Sequence, residues 1–157
     1  MTAAFRGPIR LAALPDLKSL IACIDAAFQP LAERIGKPPA PMLADYPDLV
    51  ARGRVHLLEA EGRIAGVLVS EVTADEVFVE TLAIDPSLQR LGAGRRLMGF
   101  VEDEARRAGC PRVRLYTHAL MHEARHFYQA LGYREVEQRR EAGYDRVYLD
   151  KTLDPPH

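Results

Sequence analysis

Two features that often decide a protein's class are scarce in this chain. It has only two cysteines in 157 residues, and Cys23 and Cys110 lie far apart without the spacing of metal ligands. We expect both to be reduced structural thiols, as in a reducing compartment. No apolar run approaches the length of a membrane-spanning helix, and the N-terminus lacks the apolar segment of a signal peptide. We therefore expect a cytoplasmic protein with no membrane partner.

An excess of basic residues is also absent. The chain carries 21 lysines and arginines against 22 aspartates and glutamates, for a formal net charge of −1. A nucleic-acid binder would show a basic excess, so we expect no nucleic-acid partner. The hydrophobic content of 48% is that of an ordinary globular protein, and the length suits one domain over residues 1–157.

Residues 77–97 combine a strand pattern, a turn and the start of a helix. An apolar run over Val77–Ile84 is followed by an Asp-Pro loop, and Gly92 and Gly94 then lead into a helical pattern. The first N–H groups of a helix have no intrahelical partner, and the helix dipole places positive charge there. The stretch therefore predicts an anion-binding site.

Three arginines support an anionic ligand at this helix start. Arg90, Arg95 and Arg96 crowd the end where positive charge opposes the helix dipole, at about 0.3–1 kcal/mol each. A bound polyanion would turn this repulsion into attraction. The alternative is that the arginines simply point into water.

The spacing narrows the choice of polyanion. A P-loop would place Lys and Ser or Thr after Gly94, where the chain has Arg95 and Arg96. A dinucleotide fingerprint would place a third glycine at Leu97. The remaining pattern, Gln89-x-x-Gly92-x-Gly94 after a strand, resembles the acetyl-CoA pyrophosphate loop of the Gcn5-related N-acetyltransferase (GNAT) superfamily.

A second motif, around residues 122–133, has two interpretations. His122-Glu123-x-x-His126 matches the zinc-peptidase pattern, in which two histidines one helical turn apart bind zinc. No third ligand lies at the spacing of the extended motif. The residues from Ala124 to Tyr133 also resemble the GNAT segment A-x-x-F-Y-x-x-L-G-F/Y, and in that family the tyrosine aligned with Tyr128 protonates the leaving thiolate. One departure is Met121, near a position where the family often has asparagine.

The periodicity and the turn signals predict a mixed α/β sheet with helices on both faces and a core over about residues 9–153. This α/β (α+β mixed sheet) class is also the GNAT-type fold that the resemblance implies. The tail from Asp154 to His157 is expected to fray. The expected elements are a strand Ile9–Leu14, a helix from Pro15 that stops before Pro30, a short helix around Leu43–Arg52, a hairpin of Val55–Ala60 and Arg63–Val72, a strand Val77–Ile84, a helix from Gly94 to about Ala108, a strand Val113–Thr117, a helix Glu123–Leu131 and strands Tyr133–Glu141 and Tyr144–Lys151.

The resemblance implies how acetyl transfer would be divided among the residues. Glu80 shares a strand face with apolar side chains, and a poorly solvated carboxylate suits a general base, either directly or through a water. Tyr128 would be the general acid. The residues implied to bind acetyl-CoA are Leu82, Ala83, Ile84, Gln89, Arg90, Leu91, Gly92, Ala93, Gly94 and Arg95.

The acceptor is the least determined part of the prediction. In the resemblance, the irregular region 29–54 forms part of the acceptor wall, so Phe28, Arg34 and Tyr46 are weak candidates for substrate contact. By analogy we expect a primary amine of a small molecule, with acetyl-CoA as co-substrate and a possible homodimer. The alternatives are a non-catalytic acyl-CoA-binding module on the same fold and a zinc hydrolase; otherwise no metal is expected.

Overall fold

A computed structural model describes residues 7–154 of the chain. These residues form seven strands in the order β1-β2-β3-β4-β5-β7-β6, in which β4 and β5 are parallel and several other pairs are antiparallel. The predicted mixed α/β sheet is confirmed. The elements are β1 (Ile9–Leu11), α1 (Leu17–Ile35), α2 (Tyr46–Ala51), β2 (Val55–Ala60), β3 (Arg63–Val72), β4 (Glu76–Ile84), α3 (Ala93–Arg107), β5 (Arg112–His118), α4 (His122–Ala130), β6 (Arg134–Glu141) and β7 (Tyr144–Thr152).

The chain divides into two compact units. The first comprises the chain up to Ser70 together with Thr81–Gly99, and the second comprises Glu71–Glu80 together with the chain from Phe100 onward. Both β4 and α3 contribute residues to each unit. The expectation of one domain over residues 1–157 stays a prediction, and the expected fraying of the tail falls largely on residues 155–157, outside the described residues.

Gly66, in the first unit, packs closely against Ile84 and Leu97, which lie on either side of the glycine loop. A β-carbon at this position of β3 would lie 2.8 Å from Cδ1 of Leu97 and 3.0 Å from Cδ1 of Ile84. A β-carbon at Gly66 would have to displace the ends of both side chains, so glycine lets β3 approach Ile84 and Leu97. Ile84 ends β4 and Leu97 lies in the first turns of α3, so this contact positions the segment between them.

Helix α1 is longer than the sequence suggested. The prediction that it stops before Pro30 is wrong, because the helix continues to Ile35 and ends at Gly36 in the left-handed conformation. Proline removes one backbone donor, which leaves the carbonyl of Ala26 without its helical partner. Both Pro30 and Ala26 lie on the exposed side, while Leu31 is buried and extends the apolar face of the helix. Packing therefore outweighs the lost hydrogen bond.

Two other boundaries differ from the prediction. Strand β1 ends at Leu11, since Leu14–Asp16 forms a 3₁₀ turn, and α2 spans only Tyr46–Ala51. The hairpin of β2 and β3 has the predicted bounds. Cys23 and Cys110 are buried free thiols, as expected. Within residues 7–154 no helix is both long enough and apolar enough to cross a membrane.

The second unit contains the parallel pair that the strand–helix–strand order predicted. The pairing of β4 with β5 runs from Glu76 opposite Arg112 to Val79 opposite Leu115. Strand β7 lies antiparallel to β5 and to β6. Along β4 every second residue is buried, and the half-buried positions alternate with them. Glu80 lies on the half-buried face of this strand, together with Glu76, Phe78, Leu82 and Ile84.

Candidate active site

The predicted anion-binding loop connects β4 to α3. Asp85 caps a 3₁₀ turn in this loop; hydrogen bonds from the Ser87 hydroxyl at 2.8 Å and from the Ser87 N–H at 2.9 Å lower its pKa. Gly92 has a φ of 93°, which favours glycine. Helix α3 then begins at Ala93, so the N–H groups of its first turn have no intrahelical acceptor.

Arg90 shows a backbone feature that the sequence did not reveal. Its φ of 68° is left-handed, which is uncommon for a residue with a side chain and costs free energy. Strained residues of this kind cluster at binding loops. Arg90, Gly92 and Arg95 all lie in the short segment between the end of β4 and the first turn of α3. Gln89 and Leu91 of the same segment are exposed. Their predicted contacts with the cofactor stay predictions.

Glu80 lies where the pairing of β4 with β5 ends. It is half-buried, and it follows Val79, the last β4 residue paired with β5. Strand β4 continues from there through Leu82, Ala83 and Ile84. Burial raises the pKa of Tyr116 on the neighbouring strand β5, and the Glu80 charge adds to this rise. A carboxylate at this position could accept a proton from a bound amine.

Tyr128 is a buried tyrosine on α4. It is 6% exposed, and its ring contacts Phe127 and Tyr133 edge-on, with centroids 5.2 and 6.0 Å apart. Burial raises the pKa of its hydroxyl above the ordinary value. In residues 7–154 the hydroxyl has no hydrogen-bond partner. A protonated hydroxyl of this kind can donate to a leaving anion.

The three weak candidates for substrate contact differ in their burial. Phe28 and Tyr46 are 6% and 3% exposed in the first unit, and the Tyr46 hydroxyl donates to the carbonyl of Pro41. Arg34 is exposed in the last turn of α1. Burial of this extent indicates a packing role for Phe28 and Tyr46, and substrate contact by any of the three stays a prediction.

A cluster of aromatic and charged side chains in the second unit escaped the sequence analysis. Tyr116 of β5 and Tyr148 of β7 are register partners with ring centroids 5.7 Å apart, and Arg146 places its guanidinium carbon 4.3 Å from the centroid of Tyr116. Glu141 binds Arg146 and also accepts a hydrogen bond from the Tyr148 hydroxyl. The signal was the alternation of Tyr144, Arg146 and Tyr148 along β7, which only the strand register converts into a cluster.

The residues of the zinc-peptidase pattern are not arranged as a metal site. His122 and His126 are exposed on α4, and both oxygens of Glu135, one of the downstream acids, are bound by Arg125 at 2.8 and 2.9 Å. Within residues 7–154 no group of three His, Cys, Asp or Glu side chains is arranged to hold a metal ion. Family membership decides between the two interpretations of this helix.

The sequence model of the acetyltransferase (GNAT) family matches residues 20–133, which include the glycine loop and Tyr128. This chain belongs to that family. The predicted acyltransferase class and fold are thereby confirmed at the level of the family, which uses acetyl-CoA. The segment around Tyr128 is therefore part of the GNAT domain and not of a zinc peptidase.

Relatives and solved structures extend this assignment. The [ribosomal protein bS18]-alanine N-acetyltransferases of Escherichia coli K12 and Salmonella typhimurium are 32% and 34% identical over 83 residues, which are 53% of this chain and 56% of theirs. The chain thus spans about half the length of these curated relatives. The crystal structure of the Escherichia coli ribosomal-protein-S18-alanine N-acetyltransferase superposes with a TM-score of 0.77 at 21% identity, covering 97% of each chain.

A further structure carries the coenzyme itself. The PaiA N-acetyltransferase of Thermoplasma acidophilum, solved in complex with coenzyme A, superposes with a TM-score of 0.80 at 15% identity, covering 95% of this chain and 100% of that one. At such identities the likeness shows the shared fold alone.

The prediction of a small-molecule amine as acceptor is wrong. The relatives similar to this chain are named for acting on an alanine of a ribosomal protein. The error has a physical reason: the motifs that the sequence displays, the glycine loop and the strand before it, would hold the donor. These donor-binding motifs do not depend on which amine accepts the acetyl group.

Proposed function

We propose that this protein transfers the acetyl group of acetyl-CoA to the α-amino group of a polypeptide N-terminus. The observation that carries the donor half is the loop in which Gly92, at a φ of 93°, leads into the first turn of α3, whose N–H groups have no intrahelical acceptor. The acceptor half rests on the relatives that act on an alanine of ribosomal protein bS18.

The loop over residues 89–95 would hold the pyrophosphate of acetyl-CoA. First-turn N–H groups of α3 supply donors and the helix dipole supplies positive charge. Arg90 and Arg95 add side-chain cations to the same loop. The bound pyrophosphate would also offset the repulsion between these cations and the helix dipole.

The end of β4 would hold the pantetheine arm. Leu82, Ala83 and Ile84 continue the strand beyond Val79, where its pairing with β5 ends. We propose that their peptide groups bind the arm as a strand would, and that a backbone N–H of this stretch polarises the acetyl carbonyl. Gly66 supports this role, since its close approach to Ile84 holds the strand end in place.

Two side chains would move protons. Glu80 would accept the proton of the acceptor ammonium, directly or through one water, so that the neutral amine can attack the thioester. Tyr128 would donate its proton to the departing thiolate. Because burial raises the pKa of Tyr128, its hydroxyl stays protonated at neutral pH and is ready to donate.

The acceptor proposal is tested with a synthetic peptide that begins with alanine. Incubation with acetyl-CoA should add one acetyl group to the peptide α-amine, as fragment masses from tandem mass spectrometry would locate. A peptide whose N-terminus is already blocked should gain nothing. Binding of acetyl-CoA without a product on any peptide would support a non-catalytic binding module instead.

The donor site is tested by thermal unfolding with and without acetyl-CoA. At about 1 mM ligand and a Kd near 10 μM, binding adds about 2.7 kcal/mol to the free energy of unfolding. For a chain of this length the midpoint should rise by roughly 5–10 °C. Gly94→Glu should remove half of this rise or more, because it places a carboxylate in the first turn of α3.

Gly99→Glu is the matched control for this experiment. Gly99 lies further along the same helix, is exposed and has open space where a β-carbon would be added. The same charge at that position should leave the rise in midpoint intact. An equal loss in both variants would show that charge anywhere on α3 weakens binding, and would remove the loop from the proposal.

A further inference from the structure

A partly exposed guanidinium, that of Arg146, lies in the cluster formed by Tyr116, Glu141, Arg146 and Tyr148. The NH1 nitrogen of Arg146 donates to Oε1 of Glu141 at 3.0 Å, while the ring of Tyr116 supports its flat face at 4.3 Å. These contacts fix the side chain, yet 16% of its surface remains exposed. Arg146 is therefore preorganised and reachable.

Glu141 makes only a one-point ion pair with Arg146. Its other oxygen, Oε2, lies 3.3 Å from Nε of Arg139, and the Tyr148 hydroxyl donates to Oε1 as well. A guanidinium has five N–H donors in a fork that matches a carboxylate at two points. Arg146 also hydrogen-bonds the Tyr148 side chain. We infer that the remaining N–H groups of its fork serve a second partner.

The ring of Tyr116 lies near both Arg146 and the proposed base. Burial raises the pKa of Tyr116, the Arg146 cation opposes this rise, and the Glu80 carboxylate adds to it. Arg146 lies 4.3 Å from the ring centroid, and Glu80 and Arg146 belong to β4 and β7, the two strands on either side of β5. Glu80 and Tyr116 are also the next residues after the last paired residues of β4 and β5, Val79 and Leu115. A carboxylate and a guanidinium thus flank one tyrosine.

Resting on the proposed function, we propose that Arg146 binds a carboxylate side chain at the second or third residue of the acceptor polypeptide. An acceptor whose α-ammonium lies at Glu80 extends by at most about 3.6 Å per residue, so these positions come within reach of the other side of Tyr116. A side-chain carboxylate fits the fork of Arg146 better than a single carbonyl does, and such charge-assisted pairs are strong. The enzyme should therefore prefer N-termini followed by Asp or Glu.

The test compares peptides that begin with alanine and differ only by Glu or Gln at the second or at the third residue. For wild-type protein, kcat/KM should be about tenfold higher for the acidic peptide of one pair. Arg146→Gln should bring this ratio close to one. Arg146→Lys keeps the charge without the fork and should give an intermediate ratio, which also covers the case in which Arg146→Gln does not fold.

Arg140→Gln is the matched control. Arg140 lies on β6, pairs with Asp145 at 3.0 Å and is 66% exposed, and it should leave the Glu-to-Gln ratio at the wild-type value. Ratios near one for wild-type protein, with all peptides acetylated, would overturn the role of Arg146 and leave the acetyltransferase proposal intact. An unchanged ratio in both Arg146 variants would also overturn it. If no peptide is acetylated, it is the proposed function that fails.

Discussion

Glu80→Gln is expected to lower kcat by about 10²–10⁴-fold, the range that a positioned general base contributes. Glutamine keeps the size and the hydrogen-bonding capacity of the side chain but cannot take up a proton. The affinity for acetyl-CoA should stay near the wild-type value, because the proposed cofactor contacts lie at the end of β4 and in the loop before α3. Steady-state kinetics on an alanine peptide, together with the acetyl-CoA-dependent rise in midpoint, measure the two effects separately.

Glu76→Gln is the control for this prediction. Glu76 lies on the same face of β4, where its carboxylate pairs with Arg112 at 2.8 Å, away from the proposed reaction. This variant removes the same charge and should keep most of the turnover. If Glu80→Gln turns over normally at neutral and at alkaline pH alike, Glu80 takes no part in proton transfer and the base must be sought elsewhere.

The sequence predicted those parts of the fold that depend on local chemistry. The hairpin of β2 and β3 follows from two runs rich in Val, Leu and Ile around a glycine turn, and its bounds are as predicted. The end of α1 was missed because Pro30 is a local stop signal, whereas the continuation to Ile35 depends on the burial of Leu31 in the folded chain. Tertiary packing outweighed the local rule.

The same division applies to the candidate site. The glycine loop could be found because its backbone conformation requires particular residue types at a fixed spacing. Gly92, for example, has the positive φ that favours glycine. The cluster around Arg146 could not, since it forms only when β5, β6 and β7 come into register. The left-handed backbone of Arg90 is likewise invisible in the sequence, because nothing in its side chain requires it.

This division also explains the error over the acceptor. In the proposed function, donor binding would use main-chain groups presented by a glycine loop, which leave a motif. Acceptor binding would use side chains such as Arg146, which belong to separate strands and leave none. The sequence therefore carried a signal for the cofactor, whereas the correction of the acceptor came from the relatives.

Tyr128→Phe is expected to lower kcat by about 10²-fold or more, the contribution of a positioned general acid. The change removes one oxygen and keeps the ring, so the contacts with Phe127 and Tyr133 survive. The hydroxyl makes no hydrogen bond to another part of residues 7–154, so the unfolding midpoint should hardly move. Because the pKa of Tyr128 is raised, the proton is lost only above the ordinary pKa of tyrosine, and wild-type kcat should not fall on its account at mildly alkaline pH.

Tyr133→Phe separates this chemical role from packing. Tyr133 is also buried, at 2% exposure, but its hydroxyl donates to Glu102 at 3.0 Å, and Lys151 binds the same carboxylate at 2.9 Å. Removing that hydroxyl should cost about 1 kcal/mol of folding stability and leave most of the turnover. The same substitution at these two tyrosines should thus affect different quantities. Tyr128→Phe should lower kcat, and Tyr133→Phe should lower the midpoint of thermal unfolding. Full activity in Tyr128→Phe would reduce Tyr128 to a packing residue, and the thiolate would then leave without a protein acid.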